Sequence, residues 1–378
     1  MADLLPRSDQ DILGRANVDD IDAVLAITTV DDGSDGMDVH SDYDVRFTWD
    51  YEKGSRAKLE RLYEKAKTSQ WNGQTDLPWE LEVDQEAVVA ANAAANNGID
   101  GNIDWSGTPL AKWGEKEWLQ FGVESQNWTL SQFMHGEQGA LICTSRIVET
   151  VPWIDAKYYA STQVMDEARH VEVFAKYLNE KLSGHYPLNA HLRMLLDDII
   201  SDSRWDMTYL GMQIMVEGLA LAAFGFMHQL STEPLLKQLL RYVMSDEARH
   251  VAFGVLTLQD HYQELTSAEL MERQEFAFEA AVRMRDRFLQ QEVWERLGVD
   301  VKTACALVKD APDRRLFQQL LFSKIVPNCK KLGLLDANEG WLRHRFEEIG
   351  VIQFEDLPDT GEEYAMFQLA EGTIGSSE

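Results

Sequence analysis

From Leu110 to about residue 335, apolar positions recur every three to four residues, the period of one face of an α-helix. Alternation with a period of two is almost absent, so the expected class is all-α. Breaks divide the run: Pro152 in ETVPWIDA, the SGHYPLN stretch around Pro187, and STEP ending at Pro234, where Ser231 or Thr232 is placed to cap the next helix. TSAE at 266–269 has the form of a capping box. The expected helices span about 110–150, 154–183, 189–230, 233–263 and 266–297, with shorter ones to 335. Upstream, residues 51–69 carry charges at helical period and predict another helix. Residues 70–102 are mixed, with Trp71, Pro78 and Trp79 ahead of an Ala- and Asn-rich piece. Residues 1–50 read as an acidic irregular arm with DDGSDGMD as its clearest turn-like stretch, and the GTIGSSE terminus reads as loose. The organisation is then an arm over 1–50, a helical extension over 51–109, a helical bundle over 110–300, and C-terminal helices with an acidic tail over 301–378.

The hexapeptide DEARHV occurs at 166–171 and again at 246–251. Each copy holds Glu-x-x-His, as Glu167 with His170 and Glu247 with His250. Positions i and i+3 share a helix face about one turn apart, so each pair can grip one metal ion. Two more carboxylates lie in apolar helical runs, Glu137 in SQFMHGEQGALIC and Glu217 in MQIMVEGLALAAF. Glu137 precedes Glu167 by the same interval, 30 residues, that separates Glu217 from Glu247, and both midpoints fall at breaks, Pro152 and the stretch before Pro234. Two helical hairpins follow, in which residues about 15 positions either side of the turn sit at one depth, roughly 22 Å along the bundle. Four helices then bring four Glu and two His together, the donor set of a di-iron or di-manganese bundle. The carboxylates balance two divalent ions, and the imidazoles complete a set that leaves positions open for dioxygen or water. Without metal, burying four carboxylates is costly or forces several to take up protons. Asp166 and Asp246 are expected to accept the second imidazole N–H across the bundle, Asp246 from His170 and Asp166 from His250. Arg169 and Arg249 are placed to neutralise them.

The charge balance narrows the partners. Lys plus Arg is 35 against 64 for Asp plus Glu, a formal net charge of -29 that repels nucleic acid and anionic membrane surfaces. Cys143, Cys305 and Cys329 are scattered and form no CxxC pair, which excludes a disulfide framework or zinc site and fits a reducing cytoplasm. No basic start leads into an apolar stretch at the N-terminus, and the longest apolar run, from Leu219 to Met227, is interrupted by Gly225. A cytoplasmic protein without a membrane span is expected.

At the paired motifs the chain resembles the ferritin-like superfamily, in its oxygen-activating branch: multicomponent monooxygenase hydroxylases, acyl-carrier-protein desaturases, aryl-amine N-oxygenases and ribonucleotide reductase small subunits. The resemblance covers about residues 110–265 and implies a ferritin-like four-helix bundle with flanking helices. It also implies two iron ions on Glu137, Glu167, His170, Glu217, Glu247 and His250, a Mn/Fe pair being the alternative, with dioxygen as co-substrate. Glu137 and Glu217 read as the catalytic carboxylates. The implied activity is hydroxylation, desaturation or N-oxygenation of a small, largely apolar or aromatic molecule; the alternatives are an iron-handling ferroxidase and a Mn/Fe ligand-binding oxidase. No flavin, nicotinamide or iron–sulfur motif is visible, so an external electron donor, a reductase or ferredoxin, is expected. The superfamily commonly forms homodimers.

Departures narrow the branch. Phe174 stands where a ribonucleotide reductase small subunit carries its radical Tyr, and Glu137 stands where it has Asp. Ala220 and Leu221 stand where hydroxylases and desaturases often have Thr, and Val243 where aryl-amine N-oxygenases have an extra His. Ferritins are shorter and lack the second Glu-x-x-His, and the CxxC module of rubrerythrins is missing. Ala140, Leu141, Phe174, Ala220, Leu221, Phe224 and Val251 lie at helical spacings from the ligand positions. Leu141, Phe174, Ala220, Leu221 and Phe224 mark a candidate substrate pocket, with Trp71, Trp79 and Tyr159 as candidates for its entrance. Cys143, about 240° round the helix from Glu137, points away from the site.

Overall fold

Two antiparallel helical hairpins form the centre of the protein. The structure is a computed structural model that describes residues 6–30, 36, 38–49, 51–52, 54, 56–95, 104–364 and 366. The DDGSDGMD stretch, apart from Gly36 and Asp38, and the GTIGSSE terminus lie outside the described residues. All regular structure among the described residues is helical. The helices that build the site are α1 (Ala57–Thr68), α2 (Glu115–Thr150), α3 (Ile154–Lys181), α4 (Ala190–Ser201), α5 (Trp205–Leu230), α6 (Pro234–Tyr262) and α7 (Ser267–Arg287). α2 pairs with α3 and α5 with α6; α1 lies across α3 and α6.

The two hairpin turns use one device. The last carbonyls of a helix have no partner within it. At the first turn Lys157 Nζ donates to the carbonyls of Val148 and Glu149 at 2.8 and 3.0 Å. At the second, Lys237 Nζ donates to the carbonyls of His228 and Ser231 at 2.8 and 3.2 Å. The cap of α6 is Glu233, whose carboxylate accepts from the amides of Leu235 and Leu236 at 2.6 Å each, with Pro234 at the first helical position. This corrects the expected Ser231 or Thr232 cap: Ser231 instead accepts from the Glu233 amide at 3.1 Å.

Two expected helices are broken. The run 189–230 stops at 202–204, where the Asp202 carboxylate accepts from the Arg204 amide at 2.8 Å and competes with the helix ladder. The run 266–297 stops after Arg287, because Gln290 adopts φ 54 in the left-handed region. The helix expected over 51–69 begins at Ala57. The N-terminal arm contains short helices, Asp9–Leu13 and Ile21–Leu25, and Arg15 ties it to α7 through a buried 2.8 Å ion pair with Asp286. Beyond 335 the chain forms a further helix, Ala337–Glu348.

Within α5, Leu210–Val216 is a π-helical turn that runs directly into Glu217. Gly254 of α6 faces it: a Cβ there would sit 2.7 Å from Cβ of Gln213, so only glycine permits this approach. By length and composition α5 is apolar enough to cross a bilayer, but 72% of its most apolar window is buried inside the protein, as in a core helix.

Candidate metal centre

The hairpins place Glu137 on α2, Glu167 and His170 on α3, Glu217 on α5, and Glu247 and His250 on α6, all buried. Their donor atoms fall into two overlapping groups, Glu137, Glu167, His170 and Glu247, and Glu167, Glu217 and His250; within each group the atoms lie within 4.8 Å of one another. His170 Nδ1 is 3.2 Å from Glu137, 3.5 Å from Glu167 and 3.1 Å from Glu247. His250 Nδ1 is 3.0 Å from Glu167 and 3.6 Å from Glu247. Glu167 and Glu247 thus lie between the two imidazoles, whereas Glu137 and Glu217 sit on the flanks.

The opposite ring nitrogens face aspartates. His170 Nε2 is 3.2 Å from Asp246 and His250 Nε2 is 3.3 Å from Asp166. With Nε2–H donating to the aspartate, each Nδ1 turns a lone pair toward the carboxylates. Arg169 bonds Asp166 at 2.5 Å and Asp246 at 2.9 Å; Arg249 bonds Asp246 and lies 3.5 Å from Asp166. The pair of arginines therefore cancels the pair of aspartates.

Lone pairs that point at one another without a proton or cation between them repel. Glu167 Oε2, Glu217 Oε2, both carboxylate oxygens of Glu247, and His250 Nδ1 are buried without a hydrogen-bond partner. The titration behaviour shows the same excess. Burial, reinforced by the charge of Glu247, holds the Glu137 carboxyl well above its usual range; burial and the charge of Glu167 do the same to Glu217. Burial alone would lower His170 and His250. At His170 the charge of Glu137 and the hydrogen bonds to Asp246, Glu137 and Glu167 together outweigh it, and at His250 the charges of Glu167 and Glu247 with the hydrogen bond to Asp166 do so, so both are raised well above the usual imidazole range. Six oxygen and nitrogen donors without a thiolate suit iron or manganese. These residues fit two such ions.

Two residues of the site carry no signal in the repeated motif. Gln163, buried one turn before Glu167 on α3, donates from one amide nitrogen to Glu167 and Glu217, each at 2.9 Å. Trp71, just beyond α1, is buried and donates from Nε1 to Asp246 at 2.7 Å, while neighbouring Gln70 donates to Asp166 at 3.1 Å. Trp71 therefore holds the back of the site and does not line an entrance. Trp79 is tied to the Gly73 carbonyl at 2.6 Å, and Tyr159 is fully buried against Phe253, so neither opens a path.

The cavities also differ from the expected pocket. A small space of about 20 Å³ adjoins the carboxylates, lined by Glu137, Glu217 and Glu247 together with Phe133, Ala220 and Arg287. A large one of about 530 Å³ lies beyond it, lined mainly by apolar side chains such as Trp118, Phe121, Ala223, Phe226 and Trp294. Phe133 lines both. Of the five expected pocket residues, Ala220 alone lines either space. Phe174 and Phe224 stack on each other at 5.6 Å, and Phe224 meets Phe133 at 4.7 Å, so they form wall. Leu141 and Leu221 line neither space. Residues 288–290, which leave the helical path, line the large space beside α2 and the end of α5.

Fold and site define a helical bundle built around paired carboxylates and imidazoles, and the chain is similar to the ferritin-like di-iron oxidases and oxygenases. Residues 147–333, just under half of the chain, match the family model described as P-aminobenzoate N-oxygenase AurF. That stretch carries Glu167, His170, Glu217, Glu247 and His250, with Glu137 ahead of it. No curated protein matches the chain. Similar solved structures include a variant R2-like ligand-binding oxidase with an anaerobically reconstituted Mn/Fe cofactor, at 17% identity and TM-score 0.49, covering 75% of this chain and 99% of that one. Another is an R2-like ligand-binding oxidase with an aerobically reconstituted Mn/Fe cofactor, at 17% identity and TM-score 0.47, covering 75% of this chain and 94% of that one.

Proposed function

We propose that the protein is an oxygen-dependent oxidoreductase that holds two iron ions on Glu137, Glu167, His170, Glu217, Glu247 and His250 and oxidises a small, largely apolar organic molecule. The observation that carries this reading is the convergence of buried oxygen and nitrogen donors from four helices on one point, several of them without a hydrogen-bond partner. When bound, the two ions supply the capacity to reduce dioxygen and oxidise an organic substrate. A Mn/Fe pair would use the same donors.

The chain's own residues set the conditions. Asp166 and Asp246 fix both imidazoles with Nδ1 inward, and Arg169 and Arg249 pair with those aspartates. Gln163 orients Glu167 against Glu217. Glu137, Glu217 and Glu247 border the small space, and in this reading the two flanking carboxylates, Glu137 and Glu217, are the ones that face the reacting molecule. The large cavity is lined mainly by apolar side chains and suits an apolar body, as substrate pockets commonly do. Its size favours an organic substrate over iron storage. Electrons come from an external donor protein, the protein works in the cytoplasm, and it forms a homodimer in this reading.

Anaerobic loading with Fe(II), metal analysis and exposure to oxygen test the proposal. About two irons per chain and rapid oxygen consumption are expected, with loss of one metal equivalent in Glu217→Ala. Full metal content and full oxidation in that variant would remove the assignment.

A further inference from the structure

The pattern Tyr-x-x-x-Gln-x-x-x-Glu occurs twice, as Tyr159, Gln163 and Glu167 on α3 and as Tyr209, Gln213 and Glu217 on α5. α2 and α6 each carry a threonine seven residues past a residue of the metal centre, Thr144 after Glu137 and Thr257 after His250. Intervals of four, seven and eight residues return to nearly the same helix face, so these side chains stack beneath the centre from all four helices. At 1.5 Å per residue the Tyr159 position lies roughly 12 Å below that of Glu167. The column points to the end of the bundle at the first hairpin turn. There Trp153 packs on Trp205 at 5.2 Å, and Arg56, over the Trp153 ring, lies 3.5 Å from the exposed Asp260 of α6.

The column is polar, buried and unsatisfied. The hydroxyls of Thr144, Tyr159, Tyr209 and Thr257 and both ends of the Gln213 amide have no hydrogen-bond partner of good geometry, and Gln163 Oε1 and Glu217 Oε2 at its upper end have none either. None of these residues is more than 3% exposed. Phe253 packs against the Tyr159 ring at 4.4 Å and the Tyr209 ring at 5.1 Å, and Gly254, next to it, brings α6 against Gln213. The Tyr209 hydroxyl lies in reach of Thr257 and of the charges of Arg56 and Tyr159, and Tyr159 lies in the field of His250. Burial pushes both phenols well above their usual range, so they stay protonated. Buried polar groups almost always meet a partner, and where the protein supplies none, ordered water does.

Insertion of one oxygen atom of dioxygen into an organic molecule consumes two electrons and two protons, and the second oxygen atom leaves as water. The external donor protein supplies the electrons, but the protons need a polar route into a buried site. The large cavity does not offer one. It is lined mainly by apolar side chains, extends to Ser231 and Leu236 at the second hairpin turn, and is separated from the carboxylates by Phe133.

We propose that Tyr159, Tyr209, Gln213 and Thr257 hold a file of ordered water that carries protons from solvent at Arg56 and Asp260 to the Gln163 and Glu217 side of the metal centre. This rests on the oxidase reading above, which creates the demand for protons. Each hydroxyl takes a proton from the water below and gives its own to the water above, so none changes its charge, and the two amides orient the water between them. Tight packing at Phe253 closes this end of the bundle to a substrate without closing it to a proton. These are positioning residues, since none touches the reacting atoms.

The test uses Tyr159→Phe, Thr257→Val and Thr257→Ser. In the metal-free protein, Tyr159→Phe and Thr257→Val are expected to melt below wild type, because each removes a hydroxyl bonded to buried water. A hydroxyl bonded to nothing is a burden, so an unchanged or raised melting temperature in both overturns the file. The iron-loaded, reduced proteins are then mixed with oxygenated buffer without substrate. The two irons supply two electrons, solvent supplies two protons, and hydrogen peroxide leaves. Its release is expected to slow about tenfold or more in Tyr159→Phe and Thr257→Val, with a larger solvent deuterium isotope effect. Thr257→Ser keeps the hydroxyl and is expected to stay near wild type. Equal rates and isotope effects in wild type and Thr257→Val overturn the inference. So does equal slowing in Thr257→Ser and Thr257→Val, which marks packing and not the hydroxyl. The Thr257 pair decides alone where Tyr159→Phe does not fold. Wild type that binds iron and reacts with dioxygen, beside variants that match it, sinks the inference only; wild type without iron or without reaction sinks the oxidase reading and the inference with it.

Discussion

Lys157 and Lys237, eighty residues apart, occupy matching places in the two hairpins, each capping the last carbonyls of the preceding helix from the first turn of the next. The duplication visible in the two DEARHV motifs thus extends to the turns that set their depth. Replacing either lysine by Met should lower stability by about 1 kcal/mol, since these are charged hydrogen bonds at partly solvated positions. Urea unfolding of the metal-free protein measures this; a loss confined to the metal-loaded form would show that the turns act on the site and not on the hairpin.

Gln163→Leu removes the donor shared by Glu167 and Glu217 while keeping similar volume. Loss of such a supporting hydrogen bond typically costs roughly 10–100-fold in metal affinity. Competition with a chelator should show that drop, with helix content by circular dichroism unchanged.

Asp246 accepts from Trp71, Arg169, Arg249 and His170. Trp71→Phe deletes one charged hydrogen bond and should cost about 1.5–3 kcal/mol. Asp246→Asn removes the counter-charge from two buried arginines, and should cost more, about 3–5 kcal/mol. Equal effects of the two changes in denaturant titrations would contradict the charge argument.

The raised carboxyls of Glu137 and Glu217 fix the sign of the pH response. A group whose folded value lies above its unfolded one stabilises the fold below the unfolded value, and that contribution fades as pH rises through the folded value. The metal-free protein should therefore lose this contribution as pH rises above about 4.5, the ordinary value of a glutamate. Metal must displace those protons, so affinity should rise with pH and binding should release protons. Calorimetry in two buffers of different ionisation enthalpy counts them; zero release would mean that the metal-free site holds none.

Phe133→Ala should join the two cavities. The lost side chain should cost about 3–5 kcal/mol of stability. Turnover should shift toward bulkier substrates, read as a fall in KM for large relative to small members of a homologous series; an unchanged ranking would mean that Phe133 is wall only.

Much of this was legible in the chain, for a physical reason. A repeated motif at fixed distance from two proline breaks constrains depth as well as helix face, so Glu137 and Glu217 could be matched to Glu167 and Glu247 by counting. Gln163 was missed because one buried amide among apolar neighbours looks like any other polar residue in a helix. Trp71 and Arg287 reach the site from outside the hairpins, where no period connects them to it. The breaks at 202–204 and 288–290 depend on one carboxylate and one left-handed residue, which apolar periodicity does not register. The large cavity borders the second break, so apolar periodicity does not register it either.

The π-helical turn Leu210–Val216 has a consequence for how this chain compares with others. A wide turn holds one residue more than an α-helical turn, and each residue rotates an ideal helix by about 100°. Removing a single residue between 210 and 216 would swing Glu217 away from its partners relative to everything upstream, although no functional side chain had changed. The carboxylate's aim is therefore stored in chain length, and an alignment that closes a one-residue gap here would pair Glu217 with the wrong neighbour while leaving each motif intact.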